Sequence, residues 1–289
     1  MSIIFAFLIS FVPVALAGSL LLRWFQLAFL YNTLDRYFAD IATTLGVTVV
    51  LLIISSIIVC LKLKPFDSIV NRISSGGAKA TKEEKIQCLK IQRSVTKIMI
   101  IVYFLGFFVG QIAVSSIEVI IGATELNILN IMISVSQATT LGALFLLITL
   151  NVFASFISKY KKLLEIQEIE FLGKYKGLKI STLSGIIFGF AVVFVIINFS
   201  TVPLGFFNSG IEYTIEEFAK RAILAAGVSL ICVSVPFTVF LQGLDSRMKD
   251  TYTRIDDIAQ KGDLSNKINI STTDDLGIVL GSINRLIET

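Results

Sequence analysis

The sequence predicts an all-α membrane protein: six transmembrane helices followed by a cytoplasmic amphipathic helical segment. Three observations predict the class. Hydrophobic residues make up 55% of the 289 residues, mean hydropathy is +0.83 and charged residues are 16%, against roughly 25% in a soluble domain. Six apolar stretches approach the roughly 20 residues needed to cross hydrocarbon. From Asp245 onward the chain turns polar but keeps a helical spacing of apolar residues. The low charge and only 4 prolines exclude disordered and collagen-like chains.

The first stretch, 3–22, reads as a retained span. Ala15-Leu16-Ala17 would suit a signal-peptide cleavage site, but no Lys or Arg precedes the run and it continues through Leu20-Leu21-Leu22. The others are 43–61, 98–123, 126–158, 180–204 and 222–241. The fourth is long for one span and is expected to tilt, or to project into water at Lys159. Lys and Arg fall almost entirely in segments 62–97 and 159–179 and after Gln242; only Arg23, Arg36, Lys220 and Arg221 lie elsewhere. The positive-inside rule then puts both termini and both long loops in the cytoplasm, with the protein multi-pass in the cytoplasmic (inner) membrane. The formal net charge of +4 follows from that topology, and no aromatic-interleaved basic patch points to nucleic acid. The outward segments are too short to fold as a ligand-binding domain.

The first cytoplasmic segment holds Phe66, Ile69, Val70 and Ile73 at helical spacing, with Pro65 suited to a first helical turn and Ser75-Gly76-Gly77 as a stop. Thr81 followed by Glu84 forms a capping-box pattern, predicting a helix that runs into span three. The second segment carries Leu163, Leu164, Ile166, Ile169 and Phe171 among charges. Both segments read either as interfacial helices held by membrane lipid or as contacts for a cytoplasmic module.

Some chemistry is excluded outright. Histidine is absent, which removes Ser-His-Asp and Cys-His catalysis, His-ligated haem and metal, and a phospho-accepting histidine. Cys60, Cys88 and Cys232 form no C-x-x-C and read as unpaired. Ser75-Gly76-Gly77 lacks the pattern of a phosphate-binding loop. No cofactor or metal site is expected, and the chain itself is not expected to be an enzyme. Gln111, Glu118, Asn130, Gln137, Asn151 and Asn198 are polar groups at bilayer depth and therefore functional candidates. The amides are also what interhelical hydrogen bonds require, and Glu118 sits near the end of span three, within reach of the interface.

The tail, 244–289, carries the most specific pattern. Leu244, Met248, Tyr252, Ile255 and Ile258 follow spacings of 4, 4, 3 and 3, close to a coiled-coil seam. Gly262-Asp263-Leu264 interrupts, with Ile268 and Ile270 beyond it. A second amphipathic stretch opens at Asp274-Asp275, acids that suit a helix N-terminus, and continues through Leu276, Val279, Leu280, Ile283, Leu286 and Ile287. The eight acids of this tail exceed its six bases, which argues against a helix lying on anionic lipid.

The run Gly262-Asp263-Leu264, then Asp274-Asp275-Leu276-Gly277, then Asn284, placed directly after the last span, resembles a HAMP domain. Asp275 stands where that family commonly has Glu. The Pro the family usually carries near the start of its first helix is missing; Pro236, inside span six, is the nearest. The resemblance implies a parallel four-helix bundle made by two chains, and hence a homodimer. Two short amphipathic helices are marginal alone, so a second copy is also the physical default. Segment 63–91 and the apolar run from Ile98 to Gly110 resemble, more loosely, the six-span sensor region of spirochaete-type methyl-accepting chemotaxis receptors. These resemblances imply a domain division at 1–243 and 244–289, and a transmembrane sensor and relay whose output module lies beyond Thr289. The regulatory membrane region of a class III nucleotide cyclase or sensor histidine kinase is the alternative, and a transporter or channel domain is a third. Ligand and output are not legible.

Overall fold

The computed structural model describes residues 2–31, 33–34, 37–76, 79–122, 127–166, 180–209, 214–261, 270 and 275–288. The elements among them are α-helices α1 (Ile3–Phe25), α2 (Tyr37–Ser74), α3 (Lys82–Ile120), α4 (Ile128–Leu163), α5 (Ile180–Ser209), α6 (Ile215–Lys261) and α7 (Asp275–Glu288). A π-helical turn, Gln26–Leu30, continues α1. Six of the helices are long and apolar enough to cross a membrane, which makes this a multi-pass membrane architecture.

Ser2 caps α1: its Oγ accepts the Ile4 N–H at 3.2 Å. Asp67 Oδ1 accepts both the Ser2 hydroxyl (2.8 Å) and the Ile3 N–H (2.7 Å), placing a carboxylate at the positive end of the helix. This fixes the N-terminus beside the distal part of α2. That part is no separate helix. The expectation of a new helix beginning at Pro65 is overturned, since α2 runs unbroken through it to Ser74. Leu63, Phe66 and Val70 bury one face across the proline, and this packing offsets the lost backbone hydrogen bond.

The capping box at α3 is present. Glu84 N–H donates to Thr81 Oγ1 at 3.3 Å, and Thr81 N–H donates to Glu84 Oε2 at 3.0 Å. Arg72 Nη2 reaches the same carboxylate at 2.7 Å. The Thr81 backbone N–H first, then Arg72, hold Glu84 below the usual carboxylate range. Helix α3 then continues into its apolar stretch without interruption, as the capping pattern predicts.

Helix α4 is the hub, packing against α1, α3, α5 and α6. Close approach rests on small residues. A Cβ on Gly142 of α4 would lie 2.8 Å from the Phe107 ring of α3, and one on Gly18 of α1 would meet the same ring at 3.1 Å. Phe7 and Phe11 stack at 5.1 Å, Tyr103 meets Phe11 edge-on at 5.4 Å, and Phe107 stacks beyond at 6.1 Å, forming an aromatic spine between α1 and α3. Tyr103 and Thr149 share a hydroxyl hydrogen bond across α3 and α4.

Helix α6 has 47 residues, about 70 Å at 1.5 Å per residue. A hydrocarbon core is about 30 Å thick. Ala222, Ala225, Ser229, Cys232, Pro236 and Phe240 face inward at spacings of three and four. The helix passes through Pro236 and continues to Lys261.

Candidate functional site

Span one does not end at Leu22. The helix carries Arg23 inward and then widens into the π turn, where Tyr31 N–H bonds Gln26 O (2.9 Å). The segment from Ile3 to Leu30 is thus one 28-residue helix apolar enough to cross a membrane, and the expectation that the first span stops at 22 is overturned. The apolar run Leu27-Ala28-Phe29-Leu30 supplies the reason: it can stay buried, provided the one basic residue finds an acid. A π turn of this kind commonly marks a functional position. It needs Gly205 on α5, because a Cβ there would run into the Phe29 carbonyl oxygen.

Arg23, 2% exposed, pairs through Nη2 with Glu118 of α3, also 2% exposed, and with Asp40 of α2 at 3.3 Å. Glu118 therefore lies inside the bundle, enclosed by protein. Gln26 Nε2 donates to Gln111 Oε1 at 3.1 Å, and Gln111 Nε2 donates to Ser115 Oγ at 3.2 Å. Tyr31 closes the cluster through its hydroxyl to Ser134 Oγ (3.1 Å), with the Arg23 guanidinium over its ring. Gln111 and Glu118 share a face because seven residues make two helical turns. One cation faces two acids, so the cluster carries a formal excess of one negative charge.

A cavity lies against this cluster, between α1, α2 and α3. Phe11, Ala15, Leu22, Leu51, Leu52, Gly106 and Phe107 form its apolar walls, while Arg23, Gln26, Thr44 and Gln111 form its polar end. Of these lining residues, Arg23 Nε and Nη1, Gln26 Oε1 and Thr44 Oγ1 are buried without hydrogen-bond partners among the described residues.

The other intramembrane candidates stand apart from this cluster. Gln137 Nε2 donates to Asn198 Oδ1 at 2.8 Å, joining α4 to α5. Asn208 Nδ2 donates to Asn130 Oδ1 at 3.1 Å, and Asn151 Nδ2 donates to the Val239 carbonyl of α6.

At the opposite end, charged groups tie the loops together. Lys79 Nζ meets Glu165 at 3.1 Å, and Lys85 Nζ donates to the Glu165 carbonyl at 2.9 Å. The next carbonyl, Ile166 O, accepts the Ile270 N–H at 2.7 Å. Ile270 packs with Leu280 and Ile283 of α7. Helix α7 opens at Asp275, with Leu276 in its first turn, and buries Gly277, Leu280, Gly281 and Asn284 on one face. Gly262, Asp263, Leu264 and Asp274 lie outside the described residues. Among the described residues no group of three His, Cys, Asp or Glu could hold a metal ion.

Arg23 and Gln26 belong to this polar cluster, and span counting misses them. A basic residue and an amide three apart, followed by four apolar residues, are the signal for a polar stripe on a continuing helix. No family model, curated protein or solved structure matches the chain.

Proposed function

We propose that this chain is the membrane sensor and relay part of a signal transducer, most like a methyl-accepting chemotaxis receptor, and that its tail is a HAMP domain working as a homodimer. The observation that carries the reading is the continuity of α6. One helix leaves the bundle core and runs on to Lys261, next in order to amphipathic α7, so a shift of the last span reaches the tail without a break. A row along α6 supports the dimer. Leu241, Met248 (53% exposed) and Tyr252 (71% exposed) are uncovered in a single chain and are spaced as a coiled-coil seam that a second copy would bury. The termini, Lys79, Lys85 and Glu165 would then lie in the cytoplasm, in keeping with the distribution of Lys and Arg.

The test is disulfide trapping in native membranes. Met248→Cys and Tyr252→Cys, in a chain whose Cys60, Cys88 and Cys232 are replaced by Ser or Ala, should each give a symmetric cross-linked dimer, whereas Lys249→Cys should give little. Equal cross-linking at all three positions, or none, overturns the dimeric relay. Output is read by fusing a kinase-control or cyclase module after Thr289 and asking whether substitutions in α6 change its activity.

A further inference from the structure

We infer that the cavity between α1, α2 and α3 is a binding site for a neutral, hydroxyl-bearing amphiphile with a long alkyl chain. On α1 the walls run from Phe11 to Leu22, about 17 Å of helix at 1.5 Å per residue, apolar but for Ser19; Thr48 and Ser55 add hydroxyls on α2, and the charged and amide groups gather at one end. The side chains that line that end carry unpartnered groups of both kinds among the described residues: Arg23 Nε and Nη1 are donors, and Gln26 Oε1 is an acceptor. A buried polar group without a partner is costly, so the end is incomplete as it stands. A hydroxyl both accepts and donates, and satisfies Arg23 and Gln26 together. An anionic headgroup fits poorly. Arg23 already faces Glu118 and Asp40, and a carboxylate or phosphate would add a third negative group beside one cation.

Gly106 provides the means of blocking the site. It lines the cavity, and a Cβ added there meets no atom within 4 Å. Gly106→Leu therefore fills the cavity while raising helix propensity. The inference goes beyond the relay reading and stands whether or not the tail signals, because the experiment reads binding alone.

The full chain in lipid nanodiscs is photolabelled with hexadecanol carrying a terminal diazirine, with the matching hexadecanoate and hexadecane as comparisons, and the labelled peptides are mapped by mass spectrometry. The alcohol should label 11–19, 47–55 and 102–107. Gly106→Leu should reduce that labelling about tenfold, a 1.4 kcal/mol loss, while labelling of outward-facing Ile57 and Leu61 persists. Gln26→Leu should lower labelling by the alcohol but not by the alkane. Competition by diacylglycerol would identify a bilayer lipid as the occupant; competition by hexadecanol alone would identify a freely exchanging alcohol. Labelling confined to outward-facing residues and indifferent to Gly106→Leu would leave the cavity to water and overturn the assignment. Hexadecanoate labelling as strong as that by the alcohol at neutral pH would overturn the neutral headgroup.

Discussion

Arg23 shows how a single charge is kept inside an apolar bundle. Removing water from both partners costs several kcal/mol each, and the pair survives by close contact with Glu118 backed by Asp40. Arg23→Gln leaves Glu118 buried without its cation, and a loss of about 3 kcal/mol is expected. Arg23→Gln with Glu118→Gln should recover most of it; thermal unfolding in detergent across the four chains of a double-mutant cycle measures both. Gly205→Ala should cost roughly 1–3 kcal/mol, because the new methyl meets a backbone carbonyl and no rotamer relieves it. Gly189→Ala, on the same helix but with open space at its Cβ, should be neutral or slightly stabilising in the same assay. The polar amides were legible as candidates because such residues are rare in an apolar run. Their grouping was not. Gln111 joins Arg23 and Gln26, whereas Gln137 joins Asn198, and only the packing of helices far apart in sequence decides which amide meets which.

Among the elements, α3 declares its own beginning. Thr81 and Glu84 form a local signal, and local signals can be read from sequence because their partners are three residues apart. Thr81→Ala should fray the first turn at a cost of about 1 kcal/mol, seen as faster amide exchange over 82–86. The Glu84 contribution depends on pH with a definite sign. Its carboxyl titrates lower in the folded chain than in the unfolded one, so its stabilisation is complete above the usual carboxylate value. It is lost as pH falls through the lowered value, and Glu84→Gln should abolish that acid-side dependence in exchange rates corrected for intrinsic pH effects. The ends of α1 and α2 were hidden for the opposite reason. Arg23 and Pro65 are conventional terminators, and each is overridden by tertiary contacts, the first by Glu118 and the second by the buried face of Leu63, Phe66 and Val70.

At the scale of the whole molecule, the six crossings were legible because burial in lipid imposes length and composition on each one separately. Their arrangement around α4 depends on complementary shapes, such as Gly142 against Phe107, that leave no periodic trace. The contact between Ile166 and Ile270 joins the loop after α4 to the tail, and gives the relay reading a second input besides α6. Cysteines at both positions should form an intrachain bridge and hold a fused output module in one state. Gly277→Val and Asp275→Ala should likewise lock or uncouple that output while the chain still inserts normally. Unchanged output in all of these variants would remove the relay.

The hub position of α4 also has a consequence for biosynthesis. Its three amides, Asn130, Gln137 and Asn151, find their partners on Asn208, Asn198 and Val239, all later in the chain. When α4 leaves the ribosome those partners have not yet been made, and lipid offers no substitute. The nascent protein therefore has to hold its fourth span against the insertion machinery, or shield it against the earlier three, until the last two arrive. A polypeptide halted after Ile166 should be a substrate for membrane quality control, and the full sequence should escape it.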